Sequence, residues 1–315
     1  MDFGKYSRIR LGSIPPFVPV PFDLYIKVGD RFVHYLRIGD QITSEKKQQL
    51  IKKAADHFYI LSVEFPRFKE FINSLILGDE LETSEKASVL RESSMALVEE
   101  LFESPHLEKA LTQSKEVVNQ FLDLMRQDAE AMGHLIGLSG HDFYTYNHSV
   151  DVSVYSLGLG QILGYSGEDL KTIGLGGLFH DIGKRNIPIS IITKQGPLDD
   201  SEWEQMRKHP EYGLAILMEQ KIDSRIKACC FEHHEGFFGG GYPREIQGEE
   251  IHKMARIVSV ADTYDALTTK RSYQDPMTPK VAIEFMRDRL KQKFDPDVMK
   301  AMLEVLRRME ESQAS

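Results

Sequence analysis

Gly177-Leu178-Phe179-His180-Asp181-Ile182-Gly183-Lys184 places an imidazole, a carboxylate and a cation inside a run that otherwise reads as a buried helix. Leu175, Leu178, Phe179 and Ile182 are apolar at helical spacings. Polar groups set in so dry a segment cost free energy unless something pairs with them, and a divalent metal would do so. Taken alone, the dipeptide also reads as an ordinary His–Asp pair at a helix end. The rest of the chain separates these readings.

Five of the 11 histidines, His148, His180, His209, His233 and His234, fall in one part of the chain, on or beside predicted helices. Asp262 lies in a second apolar run, Ile257-Val-Ser-Val-Ala-Asp-Thr-Tyr-Asp-Ala-Leu267. Imidazoles and carboxylates without thiolates suit iron, manganese, nickel or zinc. Seven candidates would crowd one six-ligand metal, whereas two metals bridged by Asp181 use them all. Two metals about 4 Å apart can orient a water or hydroxide and polarise a phosphate oxygen. The cluster therefore points to hydrolysis of phosphate esters.

With 315 residues the chain is long for one core. Its formal charge of −9 argues against a nucleic-acid coat and against an anionic-membrane binder. The two cysteines, Cys229 and Cys230, are adjacent, which excludes an intrachain disulfide framework and suits a reducing cytoplasm. No signal-like N-terminus and no run of about 18 apolar residues is present, so no direct membrane insertion is expected.

Residues 1–82 read as a small α+β regulatory or interaction domain. A hairpin is expected from Phe22–Val28 and Arg31–Ile38 around Gly29-Asp30, a helix from Thr43 or Ser44 to about Ala55, a strand over Phe58–Val63, and a helix from Pro66 to about Leu77. His34 and His57 are isolated surface or packing residues. Residues 83–139 read as a helical linker that could dimerise, with Ser104-Pro105 opening its second helix and Leu107, Leu111, Val118, Leu122 and Met125 on one side. Residues 140–315 read as all helical. Helix starts are expected at Ser166-Gly-Glu-Asp169, Asp199-Asp-Ser201, Asp223-Ser224, Thr278-Pro279 and Asp295-Pro296, and a loop over Phe237–Pro243. Trp203 and the methionines need no role beyond packing.

Several motifs then carry a resemblance. His180-Asp-Ile-Gly-Lys184 resembles the signature of the HD phosphohydrolases, and His233-His-Glu-Gly-Phe-Phe-Gly-Gly-Gly-Tyr-Pro243 that of their HD-GYP subgroup. Tyr144-Thr-Tyr-Asn-His148, Ala261–Tyr273 and Phe294-Asp-Pro296 are similar to further family segments, in order over roughly residues 140–310. The resemblance implies a mainly α protein whose C-terminal helical bundle hydrolyses cyclic di-GMP, a bacterial second messenger, to pGpG and onward to GMP. Hydroxide held at a dinuclear site would attack the phosphorus. It implies one metal on His148, His180, Asp181 and Asp262 and another on Asp181, His209, His233 and His234, with iron favoured over manganese, nickel or zinc. Asp181 and Lys184 become the catalytic pair. Lys184 and Arg271 would hold phosphate oxygens, Tyr242 would line the substrate, and the Gly-Tyr-Pro loop is associated with GGDEF cyclases.

Three departures stand out. Tyr144 occupies the place of a Glu that holds a third metal in some members, so a dinuclear site is expected. Phe238 replaces the usual loop Asp. Gln274 stands where a basic residue often contacts substrate, which weakens the phosphate grip. These differences motivate an alternative, a poorly active cyclic di-GMP receptor or docking module. Asp265 reads as a structural partner, of Arg271, rather than a ligand.

Overall fold

The computed structural model describes residues 5–53, 57–103, 107–128, 130–138, 145–270 and 275–314. Four strands begin the chain: β1 (Tyr6–Arg10), β2 (Leu24–Val28), β3 (Arg31–Leu36) and β4 (His57–Leu61) form one antiparallel sheet in the order β1-β4-β2-β3. The expected hairpin is β2–β3, with Gly29 at φ 60° in its turn, where a side chain would be strained. Sequence reading missed β1. Its Arg8 and Arg10 hide the alternation because both pair with the buried Glu99 of a later helix.

Helix α1 (Ser44–Lys52) starts where expected. Thr43 Oγ1 accepts from Lys46 N at 3.3 Å, and the helix ends ahead of Ala55, which lies outside the described residues. Helix α2 (Phe65–Leu77) buries Phe68, Phe71, Ile72, Leu75 and Ile76, the spacing of one helical face. Two long helices follow, α3 (Thr83–Glu103) and α4 (Leu107–Gln127). Leu111, Val118, Leu122 and Met125 of α4 are buried and Leu107 partly so, while Ser104-Pro105 lies outside the described residues. Helix α3 touches β1 and the turn after it at one end, and α5 (Ala131–Gly137) and α6 (Thr145–Ile162) further along.

The remaining chain is helical: α7 (Gly167–Phe179), α8 (Ile189–Ile192), α9 (Asp200–Met206), α10 (His209–Met218), α11 (Ser224–Glu232), α12 (Lys253–Thr268), α13 (Pro279–Arg289) and α14 (Pro296–Ala314). Helix α6 lies against α7, α12 and α14, and is buried nearly all round with serines among its apolar residues. Asp199 caps α9 in a full capping box with Glu202, and Asp223 caps α11 through Arg225 N. At α7, by contrast, Ser166 occupies the cap position without a side-chain hydrogen bond, so the expected Ser166/Asp169 box does not form. The architecture is mainly α, a helical bundle preceded by a small α+β part. No helix among the described residues is long and apolar enough to cross a membrane.

Candidate metal centre

Helix α7 ends at Phe179, and the backbone turns at His180-Asp181 into a short 3-10 segment, Ile182–Asn186. This turn aims both side chains inward. Gly183 then lies against the first turn of α10, where a Cβ would sit 1.9 Å from the His209 carbonyl oxygen. Only glycine permits that approach, and it brings His209 to Asp181.

Five helical segments deliver the cluster. His148 comes from α6, His180 and Asp181 from the turn after α7, His209 from α10, His233 and His234 from the end of α11, and Asp262 from α12. Asp181 faces both halves. Its Oδ2 lies 3.5 Å from His148 Nε2 and 3.2 Å from His180 Nε2; its Oδ1 lies 3.2 Å from His209 Nε2 and 4.0 Å from His233 Nε2. Asp262 lies 3.2 Å from His148 Nε2 and 4.0 Å from His234 Nδ1. Six of the seven side chains belong to buried residues, and His234 is 19% exposed. The seven residues grouped from sequence thus meet in space. Arg271, Gln274 and Tyr144 lie outside the described residues.

Ring orientation is set from behind. The Nδ1–H of His180 donates to the Gly177 carbonyl at 2.7 Å, that of His209 to Met206 at 2.8 Å, and that of His233 to Cys230 at 2.9 Å. A carbonyl can only accept, so each Nε2 presents a bare lone pair to the centre. His148 Nδ1 donates to Asp265 Oδ2 at 2.7 Å, and Thr269 Oγ1 donates to the other Asp265 oxygen at 3.1 Å. Asp265 is therefore a structural partner, as expected, and of His148; the Arg271 expected beside it lies outside the described residues, and such a carboxylate fixes the ring and raises its basicity.

These lone pairs lie close together. His148 and His180 Nε2 are 3.2 Å apart, His209 and His233 Nε2 3.3 Å, with two carboxylates facing them. Acceptors opposed at such distances need a proton or a cation between them, and the His and Asp donor set suits a divalent metal. Three overlapping triads have ligand atoms mutually within 4.8 Å: His148/His180/Asp262, His180/Asp181/His233 and His209/His233/His234. Burial lowers the pKa of His209 to about 4, and burial with neighbouring histidines holds His233 and His234 well below normal. All three are thereby kept neutral, the form that ligates. His148 goes the other way: burial opposes its charge, but hydrogen bonds to Asp181, Asp262 and Asp265 raise its pKa well above normal. The carboxylates of Asp181 and Asp262 resist burial because adjacent imidazoles, and Lys184 for Asp181, hold them well below the usual range.

Lys184 pairs with Asp181 Oδ2. Tyr242 stacks on His234, with ring centroids 4.8 Å apart and planes at 26°. Burial first, then Asp262 and Asp181, raises its pKa and keeps the phenol neutral. The loop that carries it turns through Gly239 (φ 94°) and Gly240 (φ 78°). Arg244 N donates to Glu235 at 2.6 Å and its guanidinium to Glu232 at 3.0 Å, which ties the loop to α11.

Sequence reading missed Lys293. Its carbonyl accepts from Phe237 N at 3.0 Å, and its ammonium donates to Thr263 Oγ1 at 2.9 Å, next to Asp262. Burial lowers its pKa and Asp262 partly restores it. Nothing local marks it, since Lys291-Gln-Lys293 reads as a charged turn. Trp203 was also misread: it is 50% exposed rather than packed.

A helical bundle that converges histidines and aspartates on one buried point defines the site. The family model described as the HD domain matches residues 105–298, and the chain belongs to this family, in its HD-GYP group. The cyclic di-GMP phosphodiesterase PA4108 of Pseudomonas aeruginosa is 31% identical over 70% of this chain and 54% of its own. The 3'3'-cGAMP-specific phosphodiesterase 2 of Vibrio cholerae is 34% identical over 60% of this chain and 37% of its own. This chain thus spans about half of the first relative and little over a third of the second. Among solved structures, Bd1817, an HDG"Y"P protein from Bdellovibrio bacteriovorus, superposes with a TM-score of 0.78 at 22% identity, covering 96% of this chain and 99% of that one, a likeness of fold.

Proposed function

We propose that this chain is a metal-dependent phosphodiesterase that hydrolyses cyclic di-GMP to pGpG and on to GMP. The observation that supports it most is the inward set of histidine lone pairs gathered on both oxygens of Asp181. His148, His180, Asp181 and Asp262 would hold one divalent metal, and Asp181, His209, His233 and His234 the other. Iron and manganese are the first candidates for such nitrogen and oxygen donors, ahead of nickel and zinc. When bound, two metals lower the pKa of water and polarise a phosphate oxygen.

The chain's own residues complete the site. Asp265 fixes the His148 ring, and the Gly177, Met206 and Cys230 carbonyls fix the other imidazoles. Lys184 and Lys293 supply fixed positive charge beside the two carboxylates, where an anionic transition state would gain from it. Arg271 takes the same role by family resemblance. Tyr242, neutral and stacked on His234, bounds the substrate side. Phe238, 54% exposed on the same loop, is the residue a cyclase would meet.

The test is a paired measurement on full-length protein purified without oxygen: metal per chain, then products from cyclic di-GMP with iron or manganese supplied. About two metals with pGpG or GMP formed is the expected result. Two metals and bound nucleotide without product would replace the enzyme with a receptor, and no metal would overturn the site. Lys293→Met is expected to lower kcat/KM about 10²- to 10³-fold, the scale of one lost charge-stabilising donor, with metal content retained. Metal loss of the same size would make Lys293 structural instead.

A further inference from the structure

We infer that the cleft beside Tyr242 is a purine-base subsite built by Trp203 and Arg207, and that its occupant is a guanine of the substrate. This rests on the reading of the centre as a cyclic-dinucleotide phosphodiesterase and adds to it the means of base recognition.

The cleft holds about 710 Å³, and its walls include Trp203, Arg207, Tyr242 and the carboxylates of Asp200, Glu204 and Glu211. Tyr242 is shared between its wall and the flank of the metal centre. Tyr242 stacks on His234, the Arg207 guanidinium lies 4.6 Å from the Tyr242 ring centroid, and Arg207 is two residues ahead of His209. A nucleoside whose phosphate is held at the centre would reach this side with its base.

Trp203, the only tryptophan, is half exposed. It rides on α9, which is fixed at its start by the Asp199/Glu202 capping box and by Lys194 bonded to Glu202. Burial in the core therefore does not account for this indole, whereas a base-stacking surface does. An indole and a guanidinium plane are the two side-chain surfaces on which a nucleobase stacks best.

The rim selects among bases. Ionised carboxylates accept hydrogen bonds and cannot donate. Guanine offers two adjacent donors, N1–H and N2–H, on its Watson–Crick edge, and one carboxylate takes both. Adenine offers one donor beside the bare N1 lone pair, which a carboxylate oxygen repels. Asp200, Glu204 and Glu211 line the cleft with acceptors of this kind, while Arg207 and Lys208 keep it from excluding an anionic ligand.

The test uses the full, metal-loaded chain with cyclic di-GMP, cyclic di-AMP and the base-free diester bis(p-nitrophenyl) phosphate. Trp203→Ala is expected to raise KM for cyclic di-GMP about tenfold more than it affects the base-free diester, the scale of one lost base–aromatic stack. Trp203→Phe should recover most of the loss. Glu211→Gln should narrow the preference for cyclic di-GMP over cyclic di-AMP. Because Trp203 is the single tryptophan, its fluorescence reports on the cleft, and cyclic di-GMP should quench it more than cyclic di-AMP does. Equal losses on all three substrates, or cyclic di-GMP turnover without quenching, would overturn the subsite and leave the phosphodiesterase reading standing. Quenching without hydrolysis would keep the subsite and remove the enzyme. Neither binding nor turnover of cyclic di-GMP would remove both.

Discussion

Asp181→Ala is expected to abolish phosphodiester hydrolysis, by at least about 10³-fold, and to strip bound metal from the protein. Losses of this size follow when one member of a group that acts as a unit is removed. Asp181 is the carboxylate whose two oxygens divide between the His148/His180 side and the His209/His233 side, all four contacts lying between 3.2 and 4.0 Å. Its removal takes a ligand from both halves and leaves opposed imidazole lone pairs with less charge to hold a cation. Asp265→Asn makes the contrast. It keeps a hydrogen-bond acceptor for His148 Nδ1 but removes the charge behind the ring. A loss of metal affinity of about 10- to 100-fold is expected, recoverable with excess metal. Metal content and turnover, measured together over a metal titration, check both. Full activity in Asp181→Ala would overturn the assignment of the centre.

The second large effect is on stability. Arg91 of α3 and Asp151 of α6 form a two-pronged ion pair, Nε to Oδ1 at 3.0 Å and Nη2 to Oδ2 at 2.9 Å, with side chains 8% and 2% exposed. Arg91→Met leaves the Asp151 carboxylate buried without that guanidinium. A destabilisation of about 3 to 5 kcal/mol is expected, read as a lowered denaturation midpoint at unchanged slope. Arg91→Met combined with Asp151→Leu should recover much of it, because replacing both charges removes the stranded one. Asp151 is three residues beyond His148 on the same helix, so the single variant should also weaken metal binding. A midpoint within error of the wild type would show that water reaches the pair.

What the sequence made legible was local. The α2 helix, the Thr43 cap, the helix start at Asp199 and the glycine loop near Tyr242 each depend on residues a few positions apart, and each could be read from the chain. The His/Asp grouping was legible for another reason: imidazoles and carboxylates inside apolar runs are anomalous wherever they occur. What stayed hidden was made by tertiary contacts. Strand β1 looked polar because Glu99, 89 residues from Arg10, neutralises its arginines. Lys293 becomes part of the site only when its turn meets Phe237 and Thr263. The bond from Asp265 to His148 was not foreseen because the two lie 117 residues apart. Trp203 was assigned to packing because nothing around it in the chain shows which face of a short helix is covered.

Helix α3 is ion-paired both to the sheet and to the helix that carries His148. Glu99 takes Arg8 and Arg10 from the sheet, Arg91 takes Asp151 beside the metal site, and the Leu101 carbonyl accepts from Arg185, just past Lys184. A rod anchored in this way is a physical route by which the N-terminal sheet and the metal centre would be coupled. By whatever factor a molecule on the sheet alters metal affinity, the metal alters the affinity of that molecule by the same factor. Metal-stripped and metal-loaded protein would then differ in what they bind at their N-terminal end, and a search for any such molecule belongs with the loaded form.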